Sequence, residues 1–422
     1  MNAVRRHRAA GLSLVELMLA MTLGLIVASG FISVFLATSG SQRTQHQLAL
    51  LQESGRFAMD RLTQDLRMAY ASYCAQGDGK DGALRRAPTV QANALLGALH
   101  DVTTRWGSAP YPAAPALPYD FPPFLAMRGY DCAKVICTPA APVGLPAMGR
   151  APGQRVVGAD VLTLRHLDTA AGWQLGAGAI AGNADRTIHH IAIRPREDEP
   201  SVADIHLPGD LLMLADCAQA QIFAANLQGG DTFYPDAIET GRNLAVPRLP
   251  PSFTAPRLFD FSHDFRTVTY YLQVVDAGDG ASTGALMRRE NGLASEVVRG
   301  VERMDFLYGV EDADGATRYL AAAQVDDRAG GIVACPAELG DGHGCLWGAV
   351  KSIEVHLLLD GQQVHGGLAA SALRYAYSMD GDIAPAAPDA ASRVVRPAEQ
   401  GFDNRMLRRE FSTLVTVRNG NP

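Results

Sequence analysis

The sequence predicts an α+β protein: a long N-terminal α-helix, membrane-spanning in its first half, packed on a C-terminal antiparallel β-sheet head with a long irregular, Pro-rich arm. Three observations carry that reading. From Leu12 to Thr38 the chain is almost wholly apolar, roughly 27 residues against the ~20 needed to cross a bilayer. From Leu48 to Tyr70 apolar residues recur at helical spacing. From residue 157 onward, short apolar or alternating runs are bounded by Gly, Asp and Asn, which is the pattern of strands.

The first segment, residues 1–11, is a basic leader with Arg5, Arg6 and Arg8 and no acidic residue. Positive charge on this flank keeps the N-terminus on the cytoplasmic side and sends the rest across the membrane, in a bacterial cell to the periplasm. Residues 12–38 form the spanning helix. A cleaved secretory signal has an apolar core of about 7–15 residues followed by small residues. This run is about twice that length, and its glycine, Gly11, precedes it. Inside the run stands Glu16, although a carboxylate among Leu, Val and Met is costly to remove from water. A plain signal anchor explains the length but not Glu16.

Residues 39–75 continue the helix as an amphipathic segment. Leu48, Leu51, Ala58, Leu62, Leu66 and Tyr70 make the stripe, and Asp60 with Gln64 and Arg61 with Asp65 are i,i+4 pairs. The helix is expected to run to about Tyr73, with Gly40 or Gly55 as possible bends and "GDGKDG" at 77–82 as its end. Residues 76–155 read as an irregular arm, because prolines at 110, 112, 115, 118, 122 and 123 forbid a central strand or helix. Residues 156–422 read as the β-rich head. Its clearest unit is a hairpin in "TVTYYLQVVDAGDGASTGALMRREN", with Val268, Tyr270, Leu272 and Val274 on one face. Met304, Phe306, Tyr308 and Val310 alternate in the next run, and Ile353, Val355, Leu357 and Leu359 oppose Ser352, Glu354 and His356 in a later one.

Composition narrows the function classes. An apolar fraction of 47% and a charged fraction of 19% describe a folded chain, and a net charge of -7 argues against a broad nucleic-acid surface. Six cysteines, Cys74, Cys132, Cys137, Cys217, Cys335 and Cys345, form no CxxC pair, and no His stands at zinc-finger spacing from them. In an exported chain an even count favours disulfides. Short loops favour Cys132–Cys137 and Cys335–Cys345, leaving Cys74 with Cys217; sequence alone does not choose. No HExxH, P-loop, GxSxG or Rossmann motif is present, so no catalytic residue is assigned and no enzyme is expected. No cofactor is expected either. The weak exception is calcium at "EDADGA", where Asp312 and Asp314 precede Gly315, although the same residues suit a hairpin turn. His189 and His190 are adjacent, and His343 sits in "GDGHGC"; surface loops are the better reading of both places.

A basic leader, Gly11, a long apolar helix and Glu at its fifth position together resemble the class III signal of type IV prepilins and type II secretion pseudopilins. The resemblance implies that a prepilin peptidase cuts between Gly11 and Leu12, methylates the new amine of Leu12 and leaves the helix in the mature chain. Leu12 departs from the usual Phe at that position. Downstream, "LQESGRFAMDRLTQDLRMA", "ADVLTLRHL", "ADCAQAQIF", "LMRRENGLASEVVRGVERMDFLYGVEDADG" and "RREFSTLVTVRN" look like the PilW family of type IV pilus minor pilins.

That family likeness implies a low-abundance subunit at or near the pilus tip. Its partners would be other minor pilins, the major pilin, the inner-membrane assembly machinery and a large tip adhesin. Physically, Glu16 then has a partner, the free amine of a neighbouring subunit; unpaired it would penalise a misaligned helix, so it would set the assembly register. The nearest rival is a minor pseudopilin of a type II secretion system. A more distant one is a signal-anchored periplasmic enzyme. Motility, adhesion and DNA uptake are the uses such a pilus would serve.

Overall fold

The computed structural model describes residues 13–71, 73, 87–103, 106–107, 111, 113–216, 219–251, 255–278, 280–311, 316–327, 343–364, 369–381 and 384–417. The chain divides into two compact units, residues 1–52 and 53–422. One helix, Leu14–Met68, contributes to both. Its apolar part is long and apolar enough to cross a membrane, with a mean hydropathy of 2.3 over 18 residues, none of them buried.

In the second unit the helix buries Ala58, Leu62 and Leu66, all members of the stripe expected from the sequence. The expected side-chain pairs also form: Gln64 donates to Asp60 at 3.2 Å, and Arg61 lies 3.9 Å from Asp65. Gly55 is not a bend. A Cβ placed there would stand 2.5 Å from the Phe411 ring, so the glycine is the notch that lets this ring lie against the helix. The helix ends at Met68, earlier than expected. Tyr70 takes a left-handed backbone (φ 61°), and its hydroxyl donates to the carbonyl of Trp347 at 2.6 Å. That tertiary bond offsets a conformation costing about 1–2 kcal/mol in an L-residue.

Three sheets are present among the described residues. The first runs through Trp173–Gln174, Arg257–Asp260, Leu211–Ala215, Ala220–Gln228, Thr232–Pro235, Ile188–Ala192 and Ile180–Gly182. Its core gathers Trp173, Ile191, Phe223, Phe233 and Leu258. The second runs through Leu293–Arg299, Ala281–Glu290, Phe265–Gly278, Val161–Leu167, Met127–Cys132 and Cys137–Thr138. Its centre is the expected hairpin, paired antiparallel from Val268↔Glu290 to Gly278↔Ala281. Val268, Tyr270, Leu272 and Val274 are all buried on one face. The third is Thr317–Leu320, Val301–Glu311, Val350–Asp360 and Arg408–Thr416, again antiparallel. Two short parallel pairs, 89–90 with 221–222 and 148–149 with 155–156, depart from the antiparallel expectation.

The stretch expected as an irregular arm is irregular only in part. Met127–Cys132 is a buried strand paired with Val161–Leu167, and Tyr111, Tyr119, Phe121 and Phe124 are buried beside it. Within that strand, a Cβ on Gly129 would fall 2.0 Å from the Tyr308 hydroxyl, so the glycine permits close contact between the second and third sheets. The third sheet also departs from simple alternation. His356 and Ser352 are buried, and Leu358 on their face packs with Tyr375 and Tyr377. The segment carrying those tyrosines is fastened by Arg393, which bonds Asp380 at 2.8 Å and the carbonyls of Tyr375 and Ala386.

Candidate assembly site

Ser13 and Glu16 open the helix as a reciprocal pair. The Ser13 hydroxyl accepts from the Glu16 backbone N–H at 3.2 Å, and Glu16 Oε2 accepts from the Ser13 N–H at 3.2 Å and its hydroxyl at 3.3 Å. This is a capping box, in which N-cap and N3 residues each satisfy a donor the helix cannot. A carboxylate in the first turn is also favoured by the helix dipole. Glu16 therefore has a local use in the single subunit, which explains part of its presence in an apolar run.

The rest of the segment removes its own polarity. Thr22 donates to the Leu19 carbonyl at 3.0 Å, Ser29 to Ile26 at 2.8 Å, Ser33 to Ser29 at 2.9 Å, and Thr38 to Val34 at 2.8 Å. Such back-bonding lets hydroxyls sit in hydrocarbon without an unsatisfied donor. From Ser13 to Gln42, Glu16 is the only ionisable side chain. Around it Leu14, Val15, Met18, Leu25, Phe31 and Phe35 are all exposed, so the helix presents an apolar surface interrupted by one carboxylate.

The remaining sequence-predicted residues fall as follows. Gly11 and Leu12 lie outside the described residues, as do Cys74, Cys217, Cys335, Asp312 and Asp314. Cys132 and Cys137 are joined by a disulfide between neighbouring strands. Cys345 is also disulfide-bonded, to a cysteine outside the described residues. His189 and His190 meet at 2.8 Å between their Nδ1 atoms, because a bulge in the Ile188–Ala192 strand turns consecutive side chains together. Sequence reading missed two groupings. One is the capping box, whose signal is the S-x-x-E spacing of Ser13 and Glu16. The convergence of His206, Asp210 and Asp260 spans more than fifty positions and gives no local signal.

Residues 269–419 match the family described as Type IV Pilus-assembly protein W. Residues 6–32, which include Gly11, Leu12 and Glu16, match the Prokaryotic N-terminal methylation motif. No curated protein and no solved structure matches the chain. The PilW match begins inside the hairpin of the second sheet and takes in the whole third sheet, and all of the first sheet lies ahead of it. The resemblance read from the sequence is borne out: a region that matches the PilW family follows an N-terminal segment that matches the methylation motif, and the two matches support a pilin role in pilus assembly.

Proposed function

We propose that the chain is a minor pilin that joins other minor pilins and the major pilin by helix packing and takes part in priming the pilus tip. The observation that carries this reading is the single carboxylate, Glu16, in the otherwise apolar and exposed segment from Ser13 to Leu36. In a bilayer the segment has little hydrophobic reason to leave lipid, so association depends on close packing and on polar partners. An ionised side chain at the bilayer centre costs about 2.5–3.5 kcal/mol on insertion scales, and pairing removes much of that cost. Within one subunit Ser13 holds one oxygen of Glu16. A neighbour's N-terminal amine offers a full opposite charge, and it comes within reach only when two helices are in register.

In this reading prepilin peptidase cuts after Gly11, and the modified amine of Leu12 becomes the partner that Glu16 needs. The chain sits in the inner membrane with a periplasmic head before it enters the pilus. Partners beyond the pilins are the inner-membrane assembly machinery and a large tip adhesin, and the pilus serves motility, adhesion or DNA uptake. The role is assembly without turnover. The PilW match favours a pilus over a type II secretion system. The test is Gly11→Ala in cells that make the pilus. The expected result is a precursor that keeps its leader by mass spectrometry, with loss of surface pili. Normal processing together with normal piliation would refute the proposal.

A further inference from the structure

Residues 375–380 lie over the third sheet, with Tyr375 and Tyr377 buried against Leu358. A polar tie joins this segment to the outer strand Arg408–Thr416. Glu410 Oε2 accepts the Ser378 N–H and the Ser378 hydroxyl, both at 3.0 Å. The other oxygen of Glu410 stands 2.9 Å from Nδ1 of His356, a buried residue of the adjacent strand Val350–Asp360. On its far side the same ring brings Nε2 to 3.1 Å from Oε1 of Glu354. Tyr377 completes the contact by donating to the His356 carbonyl at 3.4 Å. Strand geometry explains the grouping: Glu354 and His356 are two apart and share a face, and Glu410 is two from Ser412, the residue paired with His356.

Ionised carboxylates only accept hydrogen bonds, and a neutral imidazole has a single N–H to give. A ring between two carboxylates is therefore matched at both nitrogens only as the imidazolium. Loss of its proton turns a lone pair towards one carboxylate and leaves two negative groups about a neutral ring. The other charged groups facing His356 do not reverse this balance. Asp305, on the strand Val301–Glu311, adds a third carboxylate, but Arg303 holds it at 2.9 and 3.1 Å. Arg303 also lies 3.7 Å from Asp380 in the covering segment, and the Tyr377 hydroxyl donates to Asp305. Burial lowers the proton affinity of His356, and the Glu410 bond with the charges of Glu354, Glu410 and Asp305 outweighs it, so its pKa stands above the ordinary 6.5.

We propose that His356 is a proton-operated latch of the head. Protonated, it fixes Glu410 in the orientation that Ser378 requires and keeps residues 375–380 closed over the third sheet. Deprotonated, it has one N–H for two carboxylates, Glu410 loses its cation, and the segment opens more often, uncovering Leu358. The sign follows from linkage: the latch is fully set below the ordinary value of 6.5 and is lost as pH rises through the higher value of the folded chain. A charge-assisted bond is about twice as strong as a neutral one, which sets the size of the change. The competing explanation is an ion pair that leaves the segment to the packing of Tyr375 and Tyr377 and to Arg393, whatever the pH.

The experiment is hydrogen–deuterium exchange of the full chain in detergent, read by mass spectrometry in a series from about pH 6 to about pH 8.5, with each rate divided by the unfolded-chain rate at the same pH. In the wild type, protection of residues 375–380 is expected to fall about fivefold across the series, while the 268–290 hairpin changes by less than about twofold. His356→Gln keeps a hydrogen-bonding side chain but takes no charge, and is expected to show the lower protection at every pH. Glu354→Gln, at a partly exposed carboxylate, is expected to move the midpoint of the loss to lower pH, because the ring loses one of the charges that hold its proton. Should His356→Gln not fold, that displacement decides alone. Four results would each overturn the latch: equal protection at both ends in the wild type, a loss that persists in His356→Gln, a matching loss in the hairpin, or an unmoved midpoint in Glu354→Gln.

Discussion

Between Ser13 and Gln42 the chain carries one ionisable side chain, and its hydrogen-bond partner is three residues away. The head treats charge differently. Arg408 grips Glu302 through two bonds of 2.6 and 2.8 Å with both side chains fully buried. Arg128 holds Asp326 through two bonds of 2.9 and 2.7 Å. Arg288 reaches back to Asp65 on the helix at 2.6 Å. These pairs close contacts between residues 106, 198 and 223 positions apart, so they exist only once the head has folded. The contrast separates two uses of a charge. Inside the head a charge is balanced by the chain's own fold and reports on stability. On the apolar segment the carboxylate has only its neighbour Ser13 among the described residues, and in the function proposed above its full partner comes from a second subunit.

That division predicts that breaking a head pair harms folding before anything else, and Arg408→Ala should show the largest effect. Removing one member of a buried pair costs about 3–5 kcal/mol. Burial pushes the Glu302 carboxyl up to about 8, opposed by Arg408 and reinforced by Asp360. Between the ordinary value of 4.5 and about 8, folded Glu302 binds more proton than unfolded Glu302 does. Stability from this group therefore falls as pH rises through that window. Without Arg408 nothing opposes burial, and the window extends upward. Urea unfolding of Arg408→Ala should therefore show a greater loss near pH 8 than near pH 5. An equal loss at both ends would mean that the pair is not the source.

A smaller loss is expected from Asp65→Asn, which tests how the helix is fastened to the second sheet. Asp65 Oδ2 accepts from Arg288 and from the Tyr270 hydroxyl, each at 2.6 Å. Bonds to a charged group contribute about 1.5–3 kcal/mol, so the free energy of urea unfolding should drop by that order, with a lower midpoint. Arg288 keeps its bond to Glu290, and this limits the damage. A midpoint unchanged from wild type would show that the apolar stripe alone holds the helix.

These pairs also show what the sequence could reveal. Ala58, Leu62 and Leu66 were legible because helical periodicity is local, and so was the hairpin, whose buried face repeats every second residue. Asp65 was read as an i,i+4 partner of Arg61, yet its shorter bonds go to Tyr270 and Arg288, which no spacing rule reaches. The Met127–Cys132 strand was hidden for a related reason. It follows a run of prolines, and Arg128 and Asp131 break any apolar pattern. Arg128 is nonetheless buried, because Asp326 comes to meet it. His206, Asp210 and Asp260 were invisible for want of any local motif.

The smallest effect on folding, and the sharpest test of the contrast, is expected at Glu16. Neither Glu16→Leu nor Glu16→Gln touches a head contact, so each should change the head's free energy of urea unfolding by less than about 0.5 kcal/mol. The two substitutions differ in what they keep. Glutamine at N3 can still accept from the Ser13 N–H and preserve the capping box, whereas leucine cannot. Neither keeps the charge. If Glu16 serves only to cap the helix, Glu16→Gln should join pili at the wild-type level and Glu16→Leu should not. If the carboxylate pairs with a neighbour's amine, both should fold, insert and fail to co-purify with other pilins. The second outcome is expected, because an amide restores the hydrogen bonds within one subunit but not the charge that a second subunit requires.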